Sequence, residues 1–225
     1  MGIVRKQSII GSIWVYLGAG LGFVTSALLF PHYLDAEQIG LLNLLVTYGM
    51  LFAQFASAGF QNTITRMFPY FRDETKKHNG FLFLTLAVVG IATILMIGVF
   101  FATEPLITQS NDKGGSLLQE YGLLIVPMFV FIVLFNILDT YTKALYNATR
   151  GILQKEVVLR ILTLILIVAF IFNAVNYHQF VYLYVACYGL IFLYMLVALI
   201  VDGQFFLRPD FSLVDKKMAN ELFQV

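Results

Sequence analysis

Long apolar runs alternate with short polar connections along this chain, at about residues 8–30, 39–65, 81–103, 121–146, 157–175 and 181–201. About 20 helical residues cover the roughly 30 Å hydrocarbon core of a bilayer, so the pattern predicts six transmembrane helices. The polar positions inside the runs are ordered as well. In residues 43–66, NLLVTYGMLFAQFASAGFQNTITR, the side chains of Asn43, Thr47, Gln54, Ser57, Gln61 and Thr65 recur at steps of three, four or seven. At about 100° per residue they fall within an arc of about 80°, one polar stripe along the second helix. Such side chains are costly in hydrocarbon, so the stripe is expected to face a bundle interior or a water-filled cavity. Arg66 projects roughly 140° from Asn43 and either snorkels to headgroups or joins the cavity.

The fourth run carries a second stripe. Asn136, Asp139, Thr140, Lys143, Asn147 and Arg150 share an arc of about 100° if the helix continues through its inner end. Asp139 and Lys143 are four apart and can pair, which eases placing either near lipid. Asp139 lies roughly 27 Å along a helix that starts at Tyr121, close to the membrane boundary, so the pair either snorkels at the interface or serves the cavity. Glu156 and Arg160, also four apart, are expected to anchor the start of the fifth span at the interface. Gly11, Gly18, Gly22 and Ser26 line one face of the first run at steps of seven, four and four. They predict a small-residue seam for close helix packing.

Residues 31–38, with Pro31, Asp35 and Glu37, are read as a turn. Residues 66–80 are read as a basic connection broken at Pro69, residues 104–120 as a polar loop containing Pro105, and residues 204–225 as a polar tail. The first apolar run is too long for a secretory signal and is read as an uncleaved helix. Tyr177, Tyr182, Tyr184 and Trp14 read as interfacial aromatic belts.

Composition fixes the class. Of 225 residues 60% are apolar and 12% charged, and mean hydropathy is +0.83, the profile of an integral membrane protein. Thirteen of the fourteen Lys and Arg residues fall in the N-terminus, the second and fourth connections and the tail; only Lys113 falls on the opposite side. The positive-inside rule then places both termini in the cytoplasm. Cys187 is the lone cysteine, which excludes an internal disulfide or a CxxC metal site. The sequence contains no GxxxxGK[ST], HExxH or GxSxG motif. His32, His78 and His178 lie in three different connections, so no simple metal site is expected. No cofactor, no enzymatic activity and no nucleic-acid partner is expected. Asn147-Ala148-Thr149 has the form of a glycosylation acceptor, but the charge pattern places it in the cytoplasm.

These readings describe an all-α polytopic bundle of six transmembrane helices, N-in and C-in, open to the cytoplasm, with polar stripes on its second and fourth helices. Two stretches add a likeness. LLFPHYLDAEQIGLLNLL, residues 28–45, resembles the first helix junction of bacterial polysaccharide flippases. AGFQNTITRMFPYFRDETKKHNG, residues 58–80, is similar to the end of their second helix and the basic loop that follows. With the RKQSI start, the likeness covers the N-terminal region by motif and the later helices by pattern. The family is the Wzx-like branch of the multidrug/oligosaccharidyl-lipid/polysaccharide exporter superfamily.

The resemblance implies transport of a lipid-linked oligosaccharide, a polyprenyl pyrophosphate sugar, across the bacterial cytoplasmic membrane for envelope polysaccharide such as O antigen or capsule. It implies two six-helix lobes that rock around a central cavity. Residues 1–203 would be the N-terminal lobe and residues 204–225 a tail or linker toward a missing C-terminal lobe, with a homodimer as the lesser alternative. Membrane lipids would surround the bundle. Lys143 and Arg150, joined by Arg66, would meet the phosphates, while Asn43, Gln54, Gln61 and Asn136 would meet sugars; Thr47 and Asp139 belong to the same substrate site. The first helix has no intramembrane charge, so the family's charged cavity positions do not all carry over.

Three other readings stand beside this one. A cation-coupled multidrug exporter of the same superfamily would use an intramembrane carboxylate, for which Asp139 is the candidate. A transferase acting on lipid phosphates would need acids or histidines clustered at one depth, and the sequence has none. A non-transporting scaffold, or a truncated remnant, would tolerate loss of both stripes.

Overall fold

The computed structural model describes residues 2–73, 76–108 and 115–207, and among them no strand occurs. Ten α-helices follow in order: α1 Ile3–Gly22, α2 Phe30–Tyr33, α3 Ala36–Ala56, α4 Phe60–Phe71, α5 Phe81–Thr108, α6 Gly115–Tyr121, α7 Ile125–Ala144, α8 Ala148–Ile152, α9 Leu159–Ile171 and α10 Tyr177–Val201. Five segments are long and apolar enough to cross a membrane: Arg5–Tyr33, Ala36–Ala56, Lys77–Pro105, Leu117–Ala144 and Tyr177–Val201. The all-helical, membrane-type architecture expected from hydropathy is therefore present. The expected fifth span differs from these five. It lies in a helical run from α8 through α9 that carries Lys155, Glu156 and Arg160.

Several boundaries depart from the hydropathy reading, each for a local reason. Pro31 lies inside helix: a π-turn at Phe23–Leu29 joins α1 to α2, so the first span runs on to Tyr33. Proline lacks the N–H that would bond the carbonyl four residues back, and a π-turn absorbs that mismatch. The true turn is Leu34 and Asp35, both extended, after which Asp35 N–H donates to Gln38 Oε1 at 3.1 Å in a capping box at the head of α3. The same device starts α10, where Asn176 N–H donates to Gln179 Oε1 at 3.1 Å and Gln179 N–H donates to Asn176 Oδ1 at 2.9 Å. Pro69 and Pro105 also lie within helices, α4 and α5, instead of ending them.

The second span is not one helix over 39–65. It ends at Ala56, and Ala58 and Gly59 take φ of 47° and 75°, the left-handed backbone that stops an α-helix. Ser57 Oγ turns back to donate to the Gln54 carbonyl at 2.7 Å. With 21 residues α3 is about 32 Å long and suffices to cross a bilayer alone. α4 is a separate amphipathic helix that buries Phe60, Ile64, Met67, Phe68 and Phe71 and exposes Asn62, Arg66 and Tyr70.

The packing centres on α7, which carries α3, α4 and α10 against it. Phe52, Phe100 and Phe129 meet there, with ring centroids 5.7 Å apart in each contact Phe52 makes. On the other side α1 lies along the α8–α9 run, and the glycine seam is what lets it. Ile152 Cδ1 sits 3.1 Å from where a Cβ on Gly11 would be, and the Glu156 backbone carbon 2.9 Å from where one on Gly18 would be. In lipid, where apolar surface gains nothing by leaving water, such close contact holds helices together.

Candidate functional site: a polar cavity among the helices

A cavity of about 510 Å³ opens between the second half of the first span, α3, α7, the α8–α9 run and α10. α3 supplies Asn43, Thr47 and Gln54, all exposed to it, and α7 supplies the half-buried Asn136. Thr25 and Ser26 enter from the π-turn of the first span, and Lys155 and Glu156 from a second π-turn, Leu153–Val158. Arg160 and Thr163 follow on α9, and Tyr184 and Tyr188 face them from α10, their ring centroids 5.9 Å apart. Met50, Phe131, Ile132, Leu159 and Ile191 are among the residues that add apolar surface to the wall. Two π-turns thus border one cavity, and π-turns concentrate at functional sites because the extra residue re-aims side chains.

The charge in the cavity is two cations and one carboxylate. Arg160 Nε is buried with no hydrogen-bond partner. Its guanidinium lies against the first span at Gly22, where a Cβ would stand 3.0 Å from Nη1. The glycine leaves the space this side chain occupies. Glu156 and Arg160 do not form the interfacial ion pair expected of them; ion pairs elsewhere in the bundle join Lys143 to Asp139, Arg150 to Asp202 and His178 to Glu120. A guanidinium with unused donors beside amides and hydroxyls is suited to a phosphate or carboxylate together with sugar hydroxyls.

Of the residues expected at the site, Asn43, Thr47, Gln54 and Asn136 line this cavity together. The other five lie elsewhere. Gln61 and Arg66 sit on α4, beyond the break at Ala58 and Gly59, so the polar stripe of α3 does not continue into them. Asp139 is 8% exposed and turned toward α8, whose Gly151 packs directly on its carboxylate. Lys143 Nζ donates to Asp139 Oδ2 at 2.6 Å. The fourth helix ends at Ala144, and Tyr146 turns the chain with φ of 65°, so Arg150 does not continue the stripe. It pairs with Asp202, just after α10.

Lys155, Glu156, Arg160 and Thr163 were missed as lining groups, although they recur at helical spacing around Leu159. The stripe logic applied to the second helix would have found them. Comparisons with protein-family models, curated proteins and solved structures find no match for this chain.

Proposed function

We propose that the protein transports lipid-linked oligosaccharides across the bacterial cytoplasmic membrane by alternating access, as the resemblance of residues 28–45 and 58–80 to Wzx-like flippases implies. The observation that supports it most is the cavity: amides at Asn43, Gln54 and Asn136 beside the cations Lys155 and Arg160, among helices built for lipid. A polyprenyl pyrophosphate sugar joins an anionic head to many hydroxyls, and this wall offers a partner to each. Lys155 and Arg160 take the phosphate role in place of Lys143, Arg150 and Arg66. The lipid tail stays in the bilayer, and no covalent step is needed.

In this reading the run from α8 through α9 is a sixth span, its charges facing the cavity instead of lipid, and both termini lie in the cytoplasm by the positive-inside rule. The exposed polar face of α3 requires cover, which a second lobe or a second copy supplies.

A second reading, a cation-coupled drug exporter, is favoured by one observation: Glu156 is a carboxylate on the cavity wall. Proteoliposomes separate the two. A fluorescent polyprenyl pyrophosphate bearing one N-acetylhexosamine is expected to change leaflet in the presence of the protein, and R160Q is expected to abolish this. Efflux of a lipophilic cation that depends on Glu156, with no movement of the lipid-linked sugar, would replace the flippase reading with the exporter.

A further inference from the structure

Away from the cavity, the junction between α4 and α5 carries an unusual backbone. Lys77, His78, Asn79 and Gly80 have φ of 54°, 52°, 47° and 70°, four consecutive left-handed residues of which three are not glycine. L-residues adopt this conformation singly and at a cost, so a run of them persists only where surroundings over-determine it. The surroundings here come in part from distant stretches of the chain.

His78 is 1% exposed, and its Nε2 shares a 2.8 Å hydrogen bond with Gln204 Oε1, 126 residues later. Its ring rests among Phe68, Tyr141 and Phe206, with centroids 5.3, 6.5 and 5.8 Å away. Tyr141 OH donates to the Gln204 carbonyl at 3.4 Å, and Lys77 Nζ stands 5.8 Å from the Phe206 ring. Asp202, at the start of the same segment, pairs with Arg150. Local bonds hold the turn as well: Asn79 Nδ2 donates to the Phe71 carbonyl at 3.1 Å, His78 N–H to the Asp73 carbonyl at 2.7 Å, Asn79 N–H to the Lys76 carbonyl at 3.0 Å and Phe81 N–H to the His78 carbonyl, but the His78 side chain has its hydrogen-bond partner in Gln204.

We propose that the left-handed turn Lys77–Gly80 is a strained latch, held shut by the segment that follows α10. While Gln204 and Phe206 hold His78, the turn keeps its hand, and the ends of α4, α5, α7 and α10 move as one body. When the segment withdraws, His78 loses its bond and one aromatic wall, the turn relaxes toward right-handed backbone, and the α4–α5 junction is freed. The coupling stands whatever the cavity binds.

Amide hydrogen exchange of the whole protein in nanodiscs, read by mass spectrometry, tests it. Q204A is expected to speed exchange in residues 76–80 on the order of tenfold, although the substitution lies far away in sequence. K77G removes strain at an exposed position, so Q204A made in the K77G background is expected to speed the turn much less. An effect of Q204A confined to residues 202–207, or equal acceleration of the turn in both backgrounds, would overturn the latch. If Q204A does not fold, Q204N, which keeps the amide but shortens its reach, is read in its place against the same outcomes.

Discussion

Replacing Gly18 with alanine tests a helix contact in which backbone meets backbone. A Cβ at this position would meet the carbonyl oxygen of Glu156 and would lie 2.9 Å from both its carbonyl carbon and its Cβ. Carbon atoms in good contact stand roughly 3.5–4.0 Å apart, so α1 and the π-turn at Leu153–Val158 must separate by about 1 Å. Two of the obstructing atoms are backbone, so no rotamer change relieves the clash. Overpacking of this kind costs about 1–3 kcal/mol. For a chain of this length, a 2 kcal/mol cost lowers Tm by roughly 4–8 °C.

Gly20 is the internal control, since nothing lies within 4 Å of its would-be Cβ. Alanine there gains about 1 kcal/mol of helix propensity, so G20A is expected to leave Tm unchanged or raise it. Thermal unfolding of both variants in the same detergent gives the comparison. Equal Tm values for G18A and G20A would refute the claim that the seam sets the distance between α1 and the α8–α9 run.

The other predictions concern the breaks and the pairs. G151A drives a methyl into the Asp139 carboxylate and is expected to destabilise; D139A should recover about 1–2 kcal/mol of that loss in a double-mutant cycle of unfolding. A58G relieves a left-handed alanine and is expected to raise stability by about 1 kcal/mol, whereas Gly59→Val at φ 75° should lower it, both read from Tm. Q61A and R66Q lie outside the cavity and should leave translocation of the lipid-linked sugar near wild type, while R160Q abolishes it. A loss with R66Q as deep as with R160Q would return the phosphate role to α4.

The all-helical, multi-span character and five of the six expected spans were legible because a bilayer forces backbone polar groups into helices, so hydropathy and length carry most of the information. The glycine seam was legible for a similar reason: spacing alone puts Gly11, Gly18 and Gly22 on one face. The α3 stripe was legible only as far as Gln54. Past it, periodicity persists in the sequence, but Ala58-Gly59 breaks the helix axis, and a glycine at that point is an ordinary helix-stop signal.

For Asp139 the helical wheel gave a shared arc with Asn136, yet Asn136 lines the cavity and Asp139 does not. The wheel could not show that α8 folds back onto Asp139 through Gly151. Lys155 and Arg160 were obscured by their charge. They read as interfacial positives, so the apolar run starts only at residue 157. Their place on the cavity wall follows from the packing of α1 against the α8–α9 run, which is tertiary information.

A photo-reactive residue placed in the cavity reports whether a lipid-linked sugar passes along its wall. Benzoylphenylalanine at Thr47, on the cavity wall, is expected to crosslink a polyprenyl pyrophosphate N-acetylhexosamine in membranes, and the same residue at Arg66, on α4, is not. Capture at 47 that excess unlabelled lipid-linked sugar competes away would establish the cavity as the substrate's path. Capture at 66 alone, or at neither position, would contradict it.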